Sequence, residues 1–125
     1  MDWQSAVESH FKAMGYKVDW IWMNRRTLFL LAWKGNEIQV HQVEREWSGR
    51  PAQSAAVKQG FLELLGYLER LGKWGESFDR RKIILKWMAF RGFSDAEQGV
   101  LREAGVEPFF FRPDGEDPNS YHQIP

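Results

Sequence analysis

The sequence predicts an α/β fold: a mixed β-sheet flanked by helices, in the order α-β-β-β-α-β-α-β. Three observations predict it. Apolar residues recur at helical spacing in segments that end at glycine. Three strand-like segments near the start are joined by short polar breaks, which reads as an antiparallel meander. The back half alternates strand, helix, strand, helix, strand, which implies parallel pairing through right-handed crossovers. A sheet of both senses with helices against it buries all these apolar faces.

Each element follows from its own residues. Residues 2–14 form an amphipathic helix, with Asp2 as N-cap and Trp3, Val7, Phe11 and Met14 on one face. Gly15 supplies the left-handed position that stops it. Residues 16–23 (YKVDWIWM) are aromatic and branched, and Asn24-Arg25-Arg26 breaks them from TLFLLAW (27–33), a nearly continuous apolar run typical of a strand covered on both faces. After the turn Lys34-Gly35-Asn36, residues 37–47 (EIQVHQVEREW) alternate. Ile38, Val40 and Gln42 share one face, and Gln39, His41 and Val43 the other.

The loop Ser48-Gly49-Arg50-Pro51 leads into a second helix over 52–71, with a stripe of Val57, Phe61, Leu64, Leu65, Leu68 and Leu71. A polar connector precedes a strand over 82–90 (KIILKWMAF). Ser94 and Glu97 form a capping box that starts the third helix, and Gly105 ends it. Residues 106–112 (VEPFFFR) make the last strand, with Pro108 favouring an edge position or a start just after it. The organisation expected is one domain over 1–112 and a polar tail over 113–125.

Composition narrows the function. With no cysteine, thiolate metal sites and disulfides are excluded, and a reducing, cytoplasmic setting is expected. The opening residues MDWQSAVESHF do not read as a signal peptide, and no run approaches the ~20 apolar residues of a membrane span, so no membrane partner is expected. A formal net charge of zero means that any nucleic-acid contact must come from a local patch. Seven Trp and nine Phe are many for 125 residues, so some are expected to thicken the core and others to be exposed for binding.

Four stretches together resemble a known family. They are VESHFKAMGYKV; LFLLAWKGNEIQV; EREWSGR before a long helix; and IILKWMAFRGFSDAEQGVLREAGVEPFF. In this order and spacing the chain, to about Arg112, resembles the restriction-endonuclease-like (PD-(D/E)xK) superfamily, especially Mrr-type enzymes and Holliday-junction resolvases. The resemblance implies that fold and a nuclease ancestry. It also implies an Asp at the second strand, and an acid and a Lys two apart on the third, holding Mg²⁺ to activate water. Here the Asp position falls within Thr27–Leu30. The paired positions fall at His41 and Val43 by hairpin length, or at Val43 and Arg45 by the Trp-Ser-Gly run. Neither register restores the motif, so a degenerate, inactive site is expected.

A rebuilt site is the alternative, using Glu8, Glu37, His41 and Glu44, with Asp19 and Glu46 nearby and Mg²⁺ or Mn²⁺ as cofactor only in that case. Each has an ordinary reading as well. Glu8 suits the early turns of a helix, Glu44 and Glu46 suit a solvated strand end, and a lone strand His is commonly structural. For nucleic acid, the candidate cations are Arg25, Arg26, Arg45, Arg50, Arg80, Arg81 and Lys82, extended by Lys86 and Arg91, with Trp22, Trp47 and Trp87 as stacking faces. No Gly-rich phosphate loop, dinucleotide fingerprint or His pair at metal-ligand spacing occurs, so no small-molecule cofactor is expected. The expected function is a nuclease-derived domain that binds DNA or RNA or assists a nucleic-acid-processing partner. A divergent metal-dependent nuclease, or a protein-interaction or homodimerisation module, is the alternative.

Overall fold

The computed structural model describes residues 3–25, 27–44, 53–71, 82–90 and 92–111. In chain order they form α1 (Trp3–Ala13), β1 (Lys17–Trp22), β2 (Leu28–Lys34), β3 (Glu37–Val43), α2 (Ser54–Leu71), β4 (Lys82–Ala89), α3 (Asp95–Glu103) and β5 (Glu107–Phe110). The order matches the expected one. Asp2, Arg26, Arg45, Glu46, Trp47, Arg50, Arg80, Arg81, Arg91 and the tail lie outside the described residues.

The strands make one mixed sheet in the order β1-β2-β3-β4-β5. The first three are antiparallel neighbours; β4 then runs parallel to β3, and β5 parallel to β4. The two parallel connections step the same way across the sheet. Crossovers of one hand therefore place both connecting helices on the same face. That face carries Phe29, Leu31, Ile38, Val40, Trp87 and Ala89, packed under Val57, Phe61, Leu64 and Leu68 of α2, Leu101 of α3 and Ala104 at the C-cap of α3.

The opposite face carries Leu30, Ala32, Val43, Met88 and Phe109 beneath Val7 and Phe11 of α1. Here one helix of eleven residues covers the sheet. Such a helix is roughly 16 Å long and 10 Å wide, against about 19 Å across five strands. Large rings fill the difference. Trp3 meets Trp20 edge-on and lies beside Phe90, with centroids at 5.5 Å in both pairs; Phe109 stacks on Phe11 at 6.0 Å and on Phe111 at 6.5 Å. Much of the aromatic surplus is therefore core.

Local signals hold, with two adjustments. Gly15 and Gly105 have φ of 90° and 77°, where a side chain would clash, which is why helices α1 and α3 stop there. The capping box is complete: Ser94 Oγ accepts from Glu97 N, and Glu97 Oε1 accepts from Ser94 N. Met14 does not join the buried face of α1; the helix has already ended at Ala13, and Met14 is 43% exposed. Leu65 is only half-buried, at the margin of the α2 stripe. Among the described residues no helix is long and apolar enough to cross a membrane.

Candidate functional site

The alternation of β2 and β3 decides what occupies the corner where the resemblance would place metal-binding acids. Leu28, Leu30 and Val43 are 1%, 0% and 4% exposed, and Leu30 and Val43 pack in the core beneath α1. Leu28 pairs directly with Val43, and Leu30 with His41. Hydrocarbon side chains cannot ligate a cation, and they have closed the space around one another.

His41 is the polar residue of this corner. It is fully buried between the rings of Phe11 and Phe109, at 5.3 and 5.2 Å. It belongs to a row that runs along β3 on the α1 side. Tyr16 donates its hydroxyl to Glu37 Oε2 at 2.7 Å; Gln39 Nε2 donates to Tyr16 Oη and to Glu37 Oε2, both at 3.1 Å. The Gln39 amide nitrogen is thereby committed, so its Oε1, 2.9 Å from His41 Nε2, must accept. His41 is accordingly the Nε2–H tautomer. Its Nδ1 is buried with no partner among the described residues.

Burial, and then the charges of Lys86 and His10, hold the His41 pKa well below its ordinary 6.5. The hydrogen bond from Tyr16, then that from Gln39, lowers the Glu37 carboxyl, while the same bond to Glu37 chiefly raises Tyr16. A neutral imidazole, a protonated phenol and an ionised carboxylate form one chain at neutral pH. That chain orders β3 beneath α1. It is sealed from solvent at its His41 end.

Among the described residues the rebuilt acid site does not assemble. Glu8 accepts from Trp20 Nε1 at 2.6 Å and lies 3.6 Å from Lys12, which ties α1 to β1. Asp19 pairs with Leu31, a residue of the α2-side face, so strand alternation puts it on the opposite side of the sheet from His41. Asp19 Oδ1 accepts from Trp20 N at 3.0 Å. Glu37 and Glu44 stand at the two ends of β3, roughly 23 Å apart at strand rise. No group of three or more His, Asp or Glu side chains able to hold a metal occurs among the described residues.

Among the described residues the candidate cations do not form one patch either. Thr27 leads into Leu28, the partner of Val43, so the Arg25 turn lies at the end of the sheet where β3 finishes; Lys82 pairs with Glu37 where β3 begins. The length of β3, about 20 Å, separates them. Lys86 is not a surface cation: its side chain is 15% exposed, 3.5 Å from Glu107 and over the Phe109 ring. Of the suggested stacking residues, Trp22 is 48% exposed and Trp87 is 5% exposed. The exposed hydrophobics Met14, Trp22 and Leu62 do not gather into one face: Met14 and Trp22 flank opposite ends of β1, and Leu62 is on α2.

On the α2 side the sheet opens into a cavity of about 300 Å³ at the same end as Arg25. Met23, Phe29 and Val57 give it apolar walls; Thr27, Gln42, Glu63 and Trp87 give it polar groups; Gly60 of α2 forms part of its roof. The turn at its mouth is fixed by Asn24 Oδ1, which accepts from Thr27 N at 2.9 Å. The Trp87 indole N–H is buried and finds no acceptor among the described residues, a situation that costs about 1–3 kcal/mol. Gln42 carries the signal that could have revealed this place in the sequence: a carboxamide continuing the apolar stripe Ile38–Val40. Tyr16 and Gln39 were likewise not foreseen as partners, although Glu37, Gln39 and His41 are polar at every second position of an interior strand.

The chain matches no protein-family model, no curated protein and no solved structure with which it was compared.

Proposed function

We propose that this domain binds nucleic acid without cleaving it, as a nuclease-derived fold whose metal corner has become core. The observation that carries this reading is the identity of Leu28, Leu30 and Val43, buried hydrocarbon where the resemblance calls for acids and a lysine. Binding without cleavage needs cations and contact groups but no metal ligands, and the Arg25 turn beside the polar cavity supplies both at one end of the sheet. Lys82, paired with Glu37, stands at the other end.

The test is fluorescence anisotropy against single-stranded, duplex and branched DNA and RNA, at low salt and then at rising salt. Expected is binding that weakens as salt rises, with a log–log slope of only a few units, because few phosphates are contacted. Arg25→Glu should weaken binding and flatten the slope. Failure to bind any of these at low salt, where phosphate contacts are strongest, would overturn the reading, as would Mg²⁺- or Mn²⁺-dependent cleavage.

A further inference from the structure

We propose that two copies of this chain associate through the open edge of β1, their strands pairing antiparallel about Val18. This surface lies away from the cavity, and its use does not depend on nucleic-acid binding.

Among the described residues β1 ends the sheet on one side, with β2 as its neighbour. Strand register shows which of its backbone groups are left over. Met23 N donates to Thr27 O, and these two residues continue the β1–β2 register, so Met23 is bonded towards β2. Backbone direction alternates along an antiparallel strand. Lys17, Asp19 and Ile21 therefore also turn their N–H and C=O groups to β2, while Val18, Trp20 and Trp22 turn theirs outward. Trp20 N agrees, since its acceptor is the Asp19 side chain. An edge of this kind is a template for a further strand.

Self-complementarity selects a second copy as that strand. A twofold axis through Val18 obeys the alternation, because Val18 and its copy would exchange both backbone hydrogen bonds. The same axis sets Lys17 directly opposite Asp19 of the second copy, twice over, on the α2 side of the sheet. These are non-hydrogen-bonded positions, where facing side chains come closest. A twofold through Asp19 would instead oppose two like carboxylates.

The other face of the sheet agrees. Met14 and Trp22 are 43% and 48% exposed, two of the three large apolar side chains left in solvent among the described residues. Within one chain they stand at opposite ends of β1. The axis through Val18 carries Trp22 to the end of the other strand where Met14 stands, so each covers the other. Pairing also exchanges one contact. Trp20 N passes from Asp19 to Tyr16 O of the second copy, and the carboxylate turns to Lys17. In the single chain Asp19 thus covers an outward N–H of the edge. A short paired run, Tyr16 to Trp20, with two Trp–Met contacts is a small interface, which suits a reversible dimer.

Sedimentation velocity from micromolar to millimolar concentration tests the pairing. Expected for the unaltered chain is a monomer–dimer equilibrium. Lys17→Asp and Asp19→Lys each place like charges opposite one another and should weaken it by about tenfold or more. An equal mixture of the two variants should dimerise again, since each strand then complements the other. Trp22→Ser should also weaken the dimer, and Leu62→Ser on α2 should not. An unaltered chain that stays monomeric at millimolar concentration overturns the proposal. So does a dimer that neither charge variant weakens, or a mixture of folded charge variants that stays monomeric. Should a variant fail to fold, amide exchange of the unaltered protein decides. Raising its concentration should slow the Val18 and Trp20 amides, while Lys17, Asp19 and Ile21, already bonded to β2, and β5 at the other edge stay as they were. Slowing at β5 alone, or no slowing, refutes pairing through β1.

Discussion

Falling pH should destabilise this protein through His41, and the pH window in which it does so follows from the geometry. Folded, the ring is fully buried, its Nε2–H is given to Gln39, and Nδ1 faces no group able to stabilise an added proton. Lys86 lies alongside on β4 and His10 on α1, so the nearest charges disfavour a second cation. The folded-state pKa is thus depressed, while the unfolded histidine titrates near 6.5. The sign follows. Below about pH 6.5 the unfolded chain binds a proton that the folded one refuses, so this contribution is full above that value and is lost as pH falls towards the folded pKa.

A histidine that stays neutral in the folded state loses about 1.4 kcal/mol per pH unit once well below 6.5, or about 2 kcal/mol between pH 7.5 and pH 5. Glu37, held low by Tyr16, titrates beneath this window and does not confuse it. Urea unfolding at the two pH values, on the natural chain and on His41→Leu, isolates the effect. The variant loses the bond to Gln39, so its absolute stability shifts. Its dependence on pH should nevertheless be flatter by about 2 kcal/mol over this range. Histidine ring spectra should show one of the three histidines still neutral, as the Nε2–H tautomer, at pH values well below 6.5. Parallel pH curves for the two proteins, or a His41 titration near 6.5, would refute the reasoning.

Two further outcomes probe the α1 side. Leu28→Asp, which puts an acid back at a position where the resemblance calls for one, should destabilise by several kcal/mol rather than create a metal site, because the carboxylate would be buried among hydrocarbon; a folded variant of unchanged Tm whose Tm rises with Mg²⁺ would contradict this. Glu8→Ala should cost about 1–2 kcal/mol by stranding the Trp20 indole N–H, while Glu8→Gln, which keeps an acceptor, should recover most of it. Equal urea midpoints for the two Glu8 variants would show that the bond to Trp20 contributes nothing.

The legibility of this chain divides along the periodicity of its residues. Alternation in EIQVHQV placed Ile38, Val40 and Gln42 on one face and Gln39, His41 and Val43 on the other, and the sheet keeps that assignment. Capping chemistry was equally local: Ser94 and Glu97 find each other across three residues whatever the tertiary context. What periodicity could not carry was distance across the sheet. Arg25 and Lys82 both read as cations beside strands, yet register sets them at opposite ends of β3. Lys86 read as an extension of the basic set Arg80-Arg81-Lys82, yet the strand turns it inward to Phe109 and Glu107.

The same separation of faces explains why the two polar places on β3 have opposite characters. Residues 37, 39 and 41 project to the α1 side, where their side chains bond to one another in a row that runs from half-buried Glu37 to fully buried His41. Residue 42 projects towards α2, where Gly60 stands in the roof and leaves space above the carboxamide. One step along the strand therefore separates a closed internal network from an open cavity. The first can stabilise the domain and register pH, but it offers no room for a ligand. The second has room, between Phe29 and Gln42 of the sheet and Val57 of α2, whereas the corner around Leu28 and Val43 is filled.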